Sequence, residues 1–254
     1  TPPVIPTIIL LTVLATSNLS GVVGMAGGMI LMALLAALLP VPLAMMLHGV
    51  TQAAANGSRA WFLRDRVRRG VLPPWLAGAG LCVLVFGLLT IVPDRALVLV
   101  LVGLFPWIGR LLPAIERLDV ERPAHALACG AIVTGAQLLA GASGPLLDVF
   151  FLRSHLDRHE IVATKAVTQT LGHLLKLAYY GMLFGVPGGG GEAAAAAPPW
   201  LFAAVVPVAL AGTRLGTACL DRLEEAQFRR ASERIILAVG AACTMAGVIE
   251  FVRG

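Results

Sequence analysis

Apolar runs close to 20 residues long follow one another along this chain, separated by polar intervals of at most about ten residues. At 1.5 Å per helical residue, such a run crosses the roughly 30 Å hydrocarbon core of a bilayer. Only 13% of the 254 residues are charged, and the mean hydropathy is +0.87. A soluble domain carries about 25% charged residues, so an ordinary water-soluble enzyme and a disordered chain are both excluded. The expected class is an all-α polytopic membrane protein with the lipid bilayer as its solvent.

The apolar segments fall at residues 7–20, 28–39, 43–63, 71–92, 96–112, 124–140, 145–152, 160–184, 199–220 and 231–252. Six of them, 43–63, 71–92, 96–112, 160–184, 199–220 and 231–252, are long enough to span. The other four form two broken pairs whose half-segments, 8–17 residues each, are too short for a comfortable crossing. Residues 7–39 are interrupted by Gly24-Met25-Ala26-Gly27-Gly28, and residues 124–152 by Gly141-Ala142-Ser143-Gly144-Pro145. Such interruptions free backbone amides and carbonyls that lipid cannot satisfy, so they must face protein or a wet cavity. Two breaks in corresponding places point to a binding site. Close helix packing is the plainer use of the same glycines.

Thirteen arginines gather in four loops: Arg64, Arg66, Arg68 and Arg69; Arg110, Arg117 and Arg122; Arg153 and Arg158; and Arg222, Arg229, Arg230 and Arg234. These loops are expected on the cytoplasmic side. The opposite turns are nearly bare: Pro40–Pro42 and Val186–Pro199 carry no Lys or Arg, and 92–95 has only Arg95. The net charge of +5 is thus a topology signal, and no nucleic-acid partner is expected. In this orientation 7–39 dips in from outside and 124–152 from the cytoplasm.

Each half is then a broken re-entrant hairpin followed by three crossings. The first repeat, 1–119, holds hairpin 7–39 and helices 43–63, 71–92 and 96–112; the second, 120–254, holds hairpin 124–152 and helices 160–184, 199–220 and 231–252. Three is odd, so the halves are inverted and both termini lie outside, on the periplasmic face of a cell inner membrane. The run Ile8–Ala15 lacks a basic flank and is not read as a cleaved signal. Val50-Thr51-Gln52 recurs as Val167-Thr168-Gln169, an offset of 117 positions that also aligns Asn56 with His173, Arg59 with Lys176 and Phe62 with Tyr179. An inverted repeat of this kind is the trace of an alternating-access transporter.

Ser20-Gly21-Val22-Val23-Gly24-Met25-Ala26-Gly27-Gly28, followed by an apolar helix, a proline turn and a Thr/Asn-bearing helix ending in Arg64–Gly70, resembles the TauE/SafE sulfite exporter family. Gly130 through Tyr180 resembles that family's second repeat, and the resemblance covers nearly the whole chain. It implies a transporter of small sulfur-containing anions such as sulfite, sulfoacetate or related organosulfonates. The chain departs from the family pattern at Ala26-Gly27-Gly28, at Ala142-Ser143-Gly144, and at Asp148, where an apolar residue is more typical.

Two helices carry the polar groups. His48, Gln52, Asn56 and Arg59 fall at i, i+4, i+8 and i+11, one stripe on an apolar cylinder, with Thr51 alongside. Lys165, Gln169, His173 and Lys176 repeat that spacing, with Thr168 alongside. A charge near the bilayer centre costs about 2.5–3.5 kcal/mol on the insertion scale, so both stripes should face each other or a wet cavity. Arg supplies a planar fork for an oxyanion and Lys a point charge. Helix N-termini at Gly27-Gly28 and Ser143-Gly144 would add backbone amides. The expected substrate site is therefore Gly27, Gly28, His48, Thr51, Gln52, Asn56, Arg59, Ser143, Gly144, Lys165, Thr168, Gln169, His173 and Lys176. His48, Asp148 and His173 are candidates for proton coupling. Gln137, Asn18 and Ser20, near the breaks, are weaker candidates for the site.

Cys82, Cys129, Cys219 and Cys243 lie in apolar runs without metal or disulfide spacing, so neither a cofactor nor a metal is expected. Trp61, Trp75, Trp107 and Trp200 sit near segment ends as expected interfacial anchors. Gly188–Ala197 reads as a flexible external loop. No Walker motif supports ATP-driven pumping, and no HExxH, GxSxG or cysteine-nucleophile pattern supports an enzyme. Passive flow down a negative-inside potential favours anion efflux by about 2.3 kcal/mol per charge per 100 mV, so export is expected. An anion channel, or a carrier of a non-sulfur carboxylate, is the alternative reading. The sequence leaves room for a homo-oligomer.

Overall fold

The structure, a computed structural model, describes residues 4–23, 26–111, 118–185, 197–220 and 225–253, without the side chains of 21–23, 26, 108–111, 217–220, 225–233 and 253. Gly24-Met25 of the first break, Arg117, Arg222 and the stretch 188–196 lie outside the described residues, as do the side chains of Arg110, Cys219, Arg229 and Arg230.

All regular structure among the described residues is helical. The elements are α1 (Val4–Val23), α2 (Ala26–Leu38), α3 (Val41–Phe62), α4 (Leu72–Leu89), α5 (Arg95–Leu111), α6 (Pro123–Ala140), α7 (Gly144–Phe151), α8 (Arg158–Phe184), α9 (Pro199–Leu220) and α10 (Glu225–Arg253). Prolines open several of them, at positions where the missing amide would be unpaired in any case. Asp157 caps α8 by accepting from the amides of His159 and Glu160, while Glu160 accepts from the amide of Asp157. The bond from the Glu160 amide, with a smaller one from His159, holds the Asp157 carboxyl below its ordinary range. Gly141, at φ 73°, ends α6 in the left-handed region that a glycine tolerates, and its amide donates to the Gln137 carbonyl at 2.9 Å.

Among the described residues four helices, α4, α6, α9 and α10, are long and apolar enough to cross a bilayer. The first arms of the broken segments are longer than expected. The 20 residues of α1 and the 18 of α6 extend about 30 and 27 Å, so only the second arms α2 and α7 are short. Among the six expected spans, α3 and α8 have the length, at 22 and 27 residues, but their polar stripes lower their hydropathy. The sixth, α5, is 17 residues long.

Helices approach through small residues. Gly212 of α9 packs on the Leu14 carbonyl of α1; Gly78 of α4 and Gly130 of α6 pack on each other's helix backbones; Gly103 of α5 meets Gly240 of α10. On the central pair, Gly49 of α3 lies against Leu177 of α8 and Gly57 against Thr170, so the two helices run antiparallel. A central core joins Val13, Met32, Leu35, Met45, Leu47, Val102 and Tyr180, and a second core packs around Trp75, Val133 and Phe150. Leu81, Leu84 and Leu88 of α4, and Met245, Val248 and Phe251 of α10, stay exposed on the outside, as lipid-facing side chains do. Trp61 and Trp200 are exposed, whereas Trp75 is fully buried: packing against α6 turns it inward, contrary to its expected place as an anchor.

Candidate functional site

The two polar stripes meet. Because α3 and α8 cross antiparallel, each stripe's glutamine comes to the middle, and the basic residue of one helix approaches the start of the stripe on the other. His48 Nε2 donates to the Gly28 carbonyl at 2.8 Å, since a carbonyl can only accept. That leaves His48 Nδ1 as an acceptor for Lys176 Nζ at 3.0 Å, and Lys176 also donates to the Gly141 carbonyl at 2.9 Å. The result is a chain of hydrogen bonds from the first break to the second, built of side chains 128 positions apart. His48, Gly141 and Lys176 are all buried, so this end of the stripe is closed.

Toward the basic-loop end lies a cavity of about 20 Å³, room for about one water-sized particle, lined by Ser20, Gly28, His48, Gln52, Ala55, Asn56, Arg59, Ala142, Ser143, Gly144, Gln169 and His173. It sits between the first turns of α2 and α7, at Gly28 and at Ser143-Gly144. Asn56 Nδ2 donates to Gln52 Oε1 at 3.5 Å, and Arg59 Nη2 to the Ser20 carbonyl at 3.5 Å, both at the long limit of a hydrogen bond. Ser20 Oγ, Ser143 Oγ and His173 Nδ1 are buried and have no protein partner. Such groups in an apolar interior cost free energy unless something else bonds them, so all three are suited to a polar guest. His173 Nε2 lies 3.2 Å from Gln137 Nε2, and its ring centroid is 5.4 Å from that of His48.

The expected site residues thus divide. Gly28, His48, Gln52, Asn56, Arg59, Ser143, Gly144, Gln169 and His173 line one cavity. Lys176 lies behind it, bonded to His48. Lys165 pairs with Asp148 on α7. Thr51 and Thr168 turn their hydroxyls back onto their own helices, to the carbonyls of Leu47 and of Thr164 and Lys165. The two glycines of the first break serve different ends: a Cβ on Gly27 would run into the Thr16 carbonyl and Ser20, while one on Gly28 would meet only the Gln52 side chain, at 3.3 Å. Ala55 and Ala142, not foreseen as lining residues, keep the cavity open by being small. Gln137, the partner of His173, sits against Gly172, where a Cβ would collide with its Oε1.

A larger cleft of about 520 Å³ lies at the loop surface among Asp65, Arg66, Arg68, Glu121 and Glu160. Its carboxylates oppose its arginines, and Arg68 is paired with Glu121 at 3.5 Å, so it lacks the excess of donors that the inner cavity has. Among the described residues no group of His, Cys, Asp and Glu is arranged to hold a metal ion.

Residues 8–243 match the family model described as Sulfite exporter TauE/SafE. Searches of curated proteins and of solved structures found no match.

Proposed function

We propose that this multi-pass membrane protein, which belongs to the TauE/SafE sulfite exporter family, is a secondary transporter that exports a small sulfur oxyanion across the inner membrane by alternating access. The observation that carries this reading is the cavity between the two helix breaks. Arg59, Asn56, Gln52, two unpartnered serine hydroxyls and the amide ends of α2 and α7 all converge there, a donor-rich and mostly neutral lining suited to an oxyanion.

The inverted-repeat reading draws support from swapped helix pairings. Matching α1–α5 with α6–α10 pairs the α1·α9 contact with α6·α4, while α3·α8 and α5·α10 each map onto themselves. Burial also falls along the stripe, from fully buried Lys176 to half-buried Arg59 and Lys165. That gradient supports a conformation facing the basic-loop side, which the arginine distribution makes cytoplasmic, with both termini periplasmic. His48, Asp148 and His173 are the proposed proton-coupling groups, and His173, which lines the cavity with its Nδ1 unpartnered, is the one best placed to meet cargo.

Purified protein melted with sulfite, sulfoacetate, taurine, thiosulfate, sulfate, chloride and carboxylates tests the substrate class, because a ligand of the folded state raises its apparent stability. A shift confined to sulfur anions, lost in Gln52→Ala and Gln169→Ala but kept in the loop variant Arg64→Ala, is expected. A response to carboxylates alone would keep a transporter and discard the sulfur cargo. Saturable counterflow in liposomes, rather than single-channel conductance, is the expected transport signature.

A further inference from the structure

Three helices bring charge to one end of the cavity. Asn56 on α3, Gly144 on α7 and Gln169 on α8 line it. Arg59 lies three positions after Asn56, Asp148 four after Gly144, and Lys165 four before Gln169. Each charged residue therefore shares a helix face with a lining residue and stands about one turn, roughly 5 Å, nearer the basic-loop end. Arg59 lines the cavity itself, and Lys165 stands about one turn from the lining residue Gln169. Lys165 is bonded to the carboxylate of Asp148, which is 43% exposed at its side chain. Asp148 is the only acidic residue anywhere in helices α1 to α7.

Two cations in a low-dielectric interior with no counter-ion would repel each other and would hold any anion too firmly to release it. Conduction of an ion requires binding strong enough to admit it and weak enough to let it go. A resident carboxylate meets both demands. It neutralises Lys165 while the cavity is empty, and it takes Lys165 back as cargo departs. The short helix that carries it also carries Ser143 and Gly144, so the same eight-residue segment presents donors to the cargo and a competitor against it.

We infer that Asp148 is a built-in counter-anion at the mouth of the cavity, which cargo must displace from Lys165, and that this exchange sets the affinity and the release of the transported anion. The inference rests on the transporter reading above. Asp148 is a positioning residue in this scheme, since it acts on cargo only through Lys165.

The test is sulfite flux in proteoliposomes, with the cytoplasmic face presented to sulfite, for wild type, Asp148→Asn, Asp148→Glu and Lys165→Gln. Asp148→Asn should lower KM for sulfite about fivefold, the size of a partly exposed ion pair's coupling, and lower maximum turnover as release slows. Asp148→Glu, which keeps the charge, should stay within about twofold of wild type, and Lys165→Gln should raise KM. Asp148→Ser makes the same charge change should the Asn variant fail to give a sharp melt. An unchanged or raised KM in the folded charge-removed variant, or a lowered KM in Asp148→Glu, overturns the inference while leaving the transporter intact. A wild type that neither moves sulfite nor is stabilised by it removes the transporter reading and this inference together.

Discussion

The two ends of the polar stripe are both built on basic residues, lysine with histidine at one and lysine with arginine at the other, and are satisfied differently. At the deep end, Lys176 is buried, and its ammonium group is spent on His48 and the Gly141 carbonyl. At the mouth, Arg59 and Lys165 are half-buried, and their partners are a long contact to the Ser20 carbonyl and the carboxylate of Asp148. An offset of 117 positions sets Arg59 against Lys176 and His48 against Lys165 in the sequence, whereas in space His48 joins Lys176 at the closed end and Arg59 and Lys165 lie toward the other. Basic residues in a membrane interior are thus told apart by what satisfies them: two neutral acceptors with ideal geometry make a structural tie, while long or exchangeable contacts leave a cation available to a guest.

Lys176→Met should give the largest effect, because it leaves His48 Nδ1 and the Gly141 carbonyl unpartnered in a buried place. A loss of about 2–4 kcal/mol in stability is expected, with sulfite flux falling at least about tenfold. Arg59→Gln should do the opposite: KM rises about tenfold with the melting temperature nearly unchanged, since its contact to the Ser20 carbonyl is long and its charge-assisted contact is to cargo. If Arg59→Gln lowers Tm as much as Lys176→Met does, the two ends are not distinct and the comparison fails.

The glycines of the first break sharpen the same contrast. Gly27→Ala drives a Cβ into the Thr16 carbonyl and should cost about 1–3 kcal/mol in a thermal melt. Gly28→Ala meets only the movable Gln52 side chain, so it should melt like wild type and lose protection by sulfite.

Thr51→Val and Thr168→Val should be nearly silent, within about 0.5 kcal/mol and with ordinary flux, because both hydroxyls bond their own helices. The smallest effect belongs to the α8 cap. The Asp157 carboxyl titrates below its ordinary range, so its stabilisation is present above the unfolded pKa and lost as pH falls through the folded one. Melting wild type and Asp157→Asn between about pH 6 and pH 3 should therefore show the difference between them shrinking as the solution becomes acidic.

Much of the helix plan was legible from residue order. The i, i+4, i+8, i+11 spacing predicts two stripes that face each other or a wet cavity, and α3 and α8 meet with Gln52 and Gln169 on one cavity. The break at residues 141–143 parts α6 from α7 where glycine density said it would, while Gly27-Gly28 stand in the first turn of α2. What composition concealed was the use made of each residue. Thr51 and Thr168 border the stripes by helical angle, yet a threonine hydroxyl reaches its own i−4 carbonyl more easily than a neighbour's. Trp75 stands near a segment end but is drawn inward by α6. Lys165 and Lys176 look alike as lone lysines in apolar helices, and only Asp148 beside one and His48 beside the other separates their roles.

The order of residues by itself determined that this chain lives in a bilayer, because about 20 apolar residues at a time have no other solvent, and that it is helical, because lipid offers no partners for an open backbone. It also set which positions must be kept from lipid. The tertiary structure alone decided which of those positions satisfy one another. A hydrogen bond or an ion pair is won or lost within a few tenths of an ångström, and that distance follows from the crossing of two helices 117 positions apart, packed through Gly49 and Gly57, rather than from the spacing along either one.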